Sequence, residues 1–180
     1  HPMTLSSSSS EFAPAPPDAT LVPVWRELLF DTDTAVTAYA KIARPPFGFL
    51  LESVVGGETW ARWTFLGTEP RAAWKLTGHR VESWTPDGGW ADRGESADPL
   101  GDFDRMLRSA TAAQVPGLPR FWGGAVGFFG YDVVRLVERL PDAPPATLEL
   151  PDALFILTGT VVAIDNLLGR ARVIATGDTA

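Results

Sequence analysis

The sequence predicts an α+β fold built mostly from antiparallel sheet, with about three helices. Two observations carry this. Strand-like stretches are joined by short reversals at Gly78-His79, Asp87-Gly88-Gly89 and Asp165-Asn166-Leu167-Leu168-Gly169, which is how hairpins read in a sequence. Only the segments near 35–43, 98–110 and 132–140 carry helical signals, and they lie between runs of strands.

Taken in order, residues 1–20 hold five consecutive serines and then Pro14, Pro16 and Pro17. Such a composition buries too little apolar surface to offset the entropy of ordering, so a leader without fixed structure is expected. His1-Pro2 ahead of Met3 reads as a tag remnant. One folded domain is expected over 21–180. Val22-Pro23-Val24-Trp25-Arg26-Glu27-Leu28 reads as an edge strand, because Pro23 has no amide to donate to a central ladder. Asp31 to Thr34 offer cap residues for a helix over 35–43, with Val36, Tyr39, Ala40 and Ala43 on one stripe and Pro45-Pro46 as the stop.

From Phe47 to Trp84 the pattern changes to period two. Trp60, Arg62, Thr64 and Leu66 fall on one face, and Ala61, Trp63 and Phe65 on the other. Ala73–Thr77 and Arg80–Trp84 pair across Gly78-His79. Asp98 as cap and Pro99 at the first helical position announce the second helix, whose apolar stripe is Leu100, Phe103, Leu107 and Ala110. Asp102 and Asp104 near its start, and Arg105 and Arg108 further along, suit the helix dipole. Phe121–Tyr131 reads as a buried, glycine-studded strand, where glycine implies close approach by another backbone or by a ligand. A third helix is expected over Asp132–Leu140, then strands over Ala153–Ile164 and Arg170–Thr176.

Composition narrows the function classes. The 180 residues contain no cysteine, which removes disulfides, thiolate nucleophiles and thiolate metal ligands and fits a reducing, cytoplasmic setting. The net charge is -7 and the basic residues are scattered among acidic ones, which argues against nucleic acid as a partner. No apolar run is long enough to span a membrane. With His1 in the presumed tag and His79 in a predicted turn, a Ser/His/Asp triad has no base, and no carboxylate cluster has metal-ligand spacing. No catalytic residue and no cofactor site is therefore assigned to this segment. The run Gly123-Gly124-Ala125-Val126-Gly127-Phe128-Phe129-Gly130 fails as a phosphate cradle, since it matches neither the dinucleotide pattern nor the Lys-Ser/Thr ending of a P-loop. The seven tryptophans read as packing residues, because an acidic chain lacks the electrostatic half of a nucleic-acid stacking platform.

What remains is Leu50-Leu51-Glu52-Ser53. It places a lone acid in an apolar strand, where a carboxylate needs a cationic or hydrogen-bonding partner. Spacing offers Arg62 on the adjacent strand, and a ligand is the alternative. Side chains alternate along a strand, so Glu52 and Ser53 can share one ligand only at a bulge or a strand end.

Leu50-Leu51-Glu52-Ser53, Gly56-Gly57-Glu58, Arg62 to Gly67 with Pro70-Arg71, and Gly123 to Arg135 together resemble, in order and spacing, the N-terminal part of anthranilate synthase component I. The resemblance runs from about Val22 to Ile174. It implies half of a larger two-domain chorismate-enzyme fold, in which the C-terminal catalytic domain binds Mg2+ and chorismate. The full-length subunit of that family makes anthranilate and pyruvate from chorismate, using ammonia from a glutamine amidotransferase subunit, component II. The resemblance further implies that this segment is inactive alone and holds the L-tryptophan feedback site, with Leu50, Leu51, Glu52, Ser53 and Arg62 as its residues. The family's second motif usually reads Arg-Tyr-Ser where this chain has Arg62-Trp63-Thr64, and its pocket is completed by an Asn-Pro-x-Pro-Tyr segment beyond residue 180. Aminodeoxychorismate synthase component I is the nearest alternative, and Leu-Leu-Glu-Ser favours the anthranilate branch. An interaction module is the other alternative, with the apolar strands at 121–130 and 153–164 as a docking face and pairing into a homodimer.

Overall fold

The structure, a computed structural model, describes residues 20–53, 62–141 and 148–178. Residues 1–19 of the expected leader, the Gly56-Gly57-Glu58 motif, Trp60 and Ala61 lie outside the described residues, while Thr20, the last residue of that leader, is tied to Thr111. The chain divides into two compact units, each organised around one five-stranded antiparallel sheet, and among the described residues two α-helices and one 3-10 helix accompany them. The predicted α+β class therefore holds.

The first unit contains residues up to Glu69, then Ala110–Gly123, then Gly159 onward. Its strands are β1 (Leu21–Leu29), β2 (Gly48–Leu51), β3 (Trp63–Thr68), β9 (Thr160–Asp165) and β10 (Arg170–Asp178), in the order β1-β10-β9-β3-β2. Pro23 sits on the edge strand β1, as its missing amide requires. Helix α1 (Ala35–Ile42) starts at a capping box: Thr34 accepts from the Thr37 amide at 3.2 Å, and Thr37 accepts from the Thr34 amide at 2.9 Å. Alternation along β3 separates two apolar faces. Leu66, with Ile164 opposite Thr64, packs with Ala35, Tyr39 and Ile42 of α1. Trp63 and Phe65 point the other way and join Ala163, Ile174, Trp122 and Leu118. Leu66 and Ile174 are completely buried, and each such side chain contributes about 1.5–3 kcal/mol relative to exposure. Gly67 makes room for this packing, since a Cβ there would lie 2.5 Å from the Phe49 ring.

The second unit contains Pro70–Ser109 and Gly124–Thr158. Its strands are β4 (Ala72–Thr77), β5 (Arg80–Thr85), β6 (Gly89–Glu95), β7 (Ala125–Phe129) and β8 (Ala153–Leu157), in the order β6-β5-β4-β8-β7. The β4–β5 hairpin turns at Gly78-His79 as predicted, and His79 Nδ1 lies 3.0 Å from the Ser96 carbonyl. Helix α2 (Pro99–Arg108) is capped by Asp98, which accepts from the Gly101 amide at 3.0 Å. Its Phe103 ring packs 4.6 Å from Trp74 and 4.7 Å from Phe155, centroid to centroid. With Leu76, Val81 and Ala153 these form the core of this unit.

Three expectations are corrected. The continuous strand over 153–164 is two strands, β8 and β9, in different sheets. The β7–β8 register runs on to Thr158, whose amide donates to the Gly124 carbonyl at 2.9 Å, and ends there, since the Gly124 amide donates to the Thr158 hydroxyl at 3.0 Å in place of its carbonyl. The strand over 121–131 is reduced to β7, and Phe128 and Phe129 are exposed because β7 is an edge strand. Its glycine reading survives, since a Cβ on Gly127 would sit 2.0 Å from the Leu154 carbonyl oxygen. The helix over 132–140 is a short 3-10 helix at Tyr131–Leu136, preceded by Gly130, which has no side chain to cap an α-helix.

Candidate functional site

Strand β2 ends at Leu51, where its last register partner on β3 is Phe65. Beyond that pair the chain leaves the ladder, so Glu52 and Ser53 stand at a strand end, one of the two arrangements that let both reach one ligand. Glu52 is exposed, which corrects the expectation of a carboxylate held in apolar surroundings. Without the ladder to bury it, its charge stays solvated.

Leu50, Leu51, Glu52 and Ser53 line an open cavity of about 680 Å³ in the first unit. The other lining residues are Trp63 and Phe65 from β3, and Pro119, Arg120 and Phe121. Four of the five predicted site residues are thus brought together. The aromatic wall is continuous: Trp63 stacks on Phe65 with centroids 6.4 Å apart, and Phe121 meets Phe65 edge-on at 5.3 Å and Phe49 edge-on at 6.4 Å. Period two on β3 is what turns Trp63 and Phe65 to the same side.

Arg62, the fifth predicted residue, does not line the cavity. The ion pair expected between Glu52 and Arg62 is replaced by one between Arg62 and Asp165. Arg62 Nη2 donates to Asp165 Oδ2 at 2.6 Å, and Nε lies 3.2 and 3.1 Å from the two carboxylate oxygens. The register explains it, because β3 pairs with β9 so that Trp63 stands opposite Asp165. Asp165 is only 3% exposed. Burial pushes its carboxyl up, but hydrogen bonds from Arg62 and from the amides of Leu168 and Leu167, together with the guanidinium charge, hold it below the ordinary carboxylate range. The same pairing raises the Arg62 guanidinium above its ordinary value.

Arg62 reaches the cavity through its neighbour. Its guanidinium carbon lies 5.1 Å from the Trp63 ring centroid, and that of Arg172 lies 5.8 Å away. Arg172 is itself fixed by Glu27 at 3.1 Å and by the Gly117 carbonyl. Two anchored cations therefore set the orientation of the indole that forms the cavity wall. Arg120 is exposed and makes no ion pair or hydrogen bond among the described residues. Sequence reasoning gave Pro119, Arg120 and Phe121 no part in this site and read Phe121 only as the start of the glycine-studded strand; nothing in local spacing places them beside β2. Among the described residues no group of three or more His, Asp or Glu could hold a metal ion.

An acid and an unpartnered guanidinium on one aromatic-walled cavity can receive a zwitterion with an apolar body. Comparison with known proteins gives this site a context. The chain is 42% identical over 159 residues to anthranilate synthase component 1 of Pseudomonas aeruginosa, covering 87% of this chain and 32% of the relative. It is homologous to anthranilate synthase component 1. The relative from Mycobacterium tuberculosis is 36% identical over 186 residues, covering 96% of this chain and 34% of its own length. Among solved structures, anthranilate synthase component I from Streptococcus pneumoniae TIGR4 superposes with a TM-score of 0.52 and 26% identity, over 82% of this chain and 31% of that one. No family model matches the chain. The chain thus spans about a third of the length of the curated anthranilate synthase components it matches, an extent consistent with their N-terminal domain. Among the described residues no helix is long and apolar enough to cross a membrane.

Proposed function

We propose that this chain is the L-tryptophan-sensing regulatory portion of an anthranilate synthase component I. The observation that carries the reading is the cavity at the end of β2, where Leu50 to Ser53 meet the wall of Trp63, Phe65 and Phe121. Glu52 accepts the ligand's ammonium, the aromatic wall and Leu50 and Leu51 take the indole, and Arg62 acts through Trp63 by fixing the indole that faces the ligand. In the full subunit, a partner glutaminase component II supplies ammonia, and the catalytic part binds Mg2+ and chorismate in a cytoplasmic setting. Feedback then requires that tryptophan bind the inhibited arrangement of the subunit better than the active one, because only that difference is transmitted.

The test is titration calorimetry of L-tryptophan into the full subunit that contains this chain, as wild type and as Glu52→Ala. Saturable binding to the wild type, weakened about ten- to a hundred-fold by loss of the charged acceptor, is expected. Saturable binding that Glu52→Ala leaves intact would move the ligand away from β2. The aminodeoxychorismate alternative is separated by assaying the full subunit for tryptophan inhibition of anthranilate formation.

A further inference from the structure

We infer that Arg120 binds the α-carboxylate of the ligand, which makes the cavity selective for a free aromatic amino acid over its decarboxylated or amidated analogues. This rests on the tryptophan-site reading above and assigns the half of the ligand that Glu52 cannot hold.

The argument begins with Arg62. A guanidinium recognises a carboxylate best through two parallel N–H donors, and Arg62 has committed Nε and Nη2 to Asp165. Its partner is buried and further held by the amides of Leu167 and Leu168 at 3.1 and 3.2 Å, so the pair is fixed within the protein. Arg172 is likewise committed, to Glu27 and the Gly117 carbonyl. Of the guanidiniums near the aromatic wall, Arg120 alone lines the cavity, and it keeps its whole fork without a partner among the described residues. Its place is fixed by its neighbours: Pro119 before it is buried, and Phe121 after it is locked edge-on against Phe65 and Phe49. Among the described residues the cavity therefore presents one anion, Glu52, and one free cation, Arg120, beside a surface for an aromatic ring. An ammonium and a carboxylate on adjacent bonds of one small molecule satisfy both; an amine or an acid alone leaves one charge unanswered.

The experiment uses three probes on the full-length subunit that contains these residues: L-tryptophan, tryptamine, which lacks the carboxylate, and indole-3-propionate, which lacks the ammonium. Calorimetric affinities are measured for the wild type, Arg120→Ala and Arg62→Ala. The wild type is expected to prefer L-tryptophan to tryptamine by about ten- to a hundred-fold, the range for a hydrogen bond to a charged group. Arg120→Ala is expected to abolish that preference while leaving tryptamine binding unchanged, which also serves as its folding control. Arg62→Ala is expected to weaken both ligands together, because it acts on the shared indole wall. If Arg120→Ala weakens the two equally, or neither, the assignment is wrong and the sensor reading stands. If the wild type binds none of the probes, the sensor reading falls and this inference with it.

Discussion

Asp165 offers the sharpest test of how the site is held. Replacing it with Ala removes the acceptor of all three Arg62 contacts and of the Leu167 and Leu168 amides. Hydrogen bonds to a charged group contribute about 1.5–3 kcal/mol each when their partners cannot be resolvated. Here Arg62 is 39% exposed and the two amides lie in an exposed turn, so water replaces much of what is lost. The expected cost of Asp165→Ala is about 2 kcal/mol, and of Asp165→Asn, which keeps an oxygen for the amides, about 1 kcal/mol. For a chain of this size the former corresponds to roughly 4–8 °C in Tm. The pH dependence has a definite sign. The folded carboxyl lies below the unfolded value of about 3.9, so its stabilisation is fully present above that pH and is lost as pH falls through the folded value. Denaturant unfolding of wild type and Asp165→Asn, followed by near-ultraviolet circular dichroism, should show a gap at neutral pH that narrows below about pH 4. A gap that stays constant through the acid range, or an Asp165→Ala variant as stable as wild type, would refute the ion-pair account.

Two further outcomes concern the second unit. Phe103→Ala should cost about 3–5 kcal/mol, because the ring is 7% exposed and packs on both Trp74 and Phe155; loss of the Trp74 near-ultraviolet signal and a lowered denaturation midpoint would report it. Gly127→Ala should destabilise by about 1–3 kcal/mol or more, since its Cβ meets the Leu154 backbone and must part β7 from β8, which faster amide exchange across that pair would reveal.

The parts of the fold legible in the sequence are those set by local chemistry. Pro23 put β1 at an edge, Gly78-His79 fixed a hairpin, and Asp98-Pro99 marked the start of α2, each because one residue's backbone or side chain decides the outcome. The misses are non-local. Residues 153–164 carry one unbroken β signal, yet β8 pairs with β4 and β7 while β9 pairs with β10 and β3, which splits them between two sheets. At the site, Glu52 and Arg62 looked like partners because they lie on neighbouring strands. Pairing of β3 with β9 instead brought Asp165 beside Arg62, and that register depends on a strand far along the chain. Arg120 was invisible for the same reason. Leu50 to Ser53 were found because they form one contiguous motif at one strand end.

The strand order β1-β10-β9-β3-β2 also has a consequence for the order of synthesis. Among the described strands β1 pairs only with β10, so apart from the isolated bridge of Leu21 to Ala112 it leaves the ribosome long before its ladder partner does. Leu29 and Arg170 are about 140 residues apart, which at about 5–20 residues per second is a wait of roughly 7–28 s. During that interval β1 is a nascent hydrophobic strand open to any other chain. Pro23, Arg26 and Glu27 within it are then gatekeepers for the growing polypeptide as well as features of the finished edge, blunting promiscuous pairing until Glu27 can meet Arg170 and Arg172.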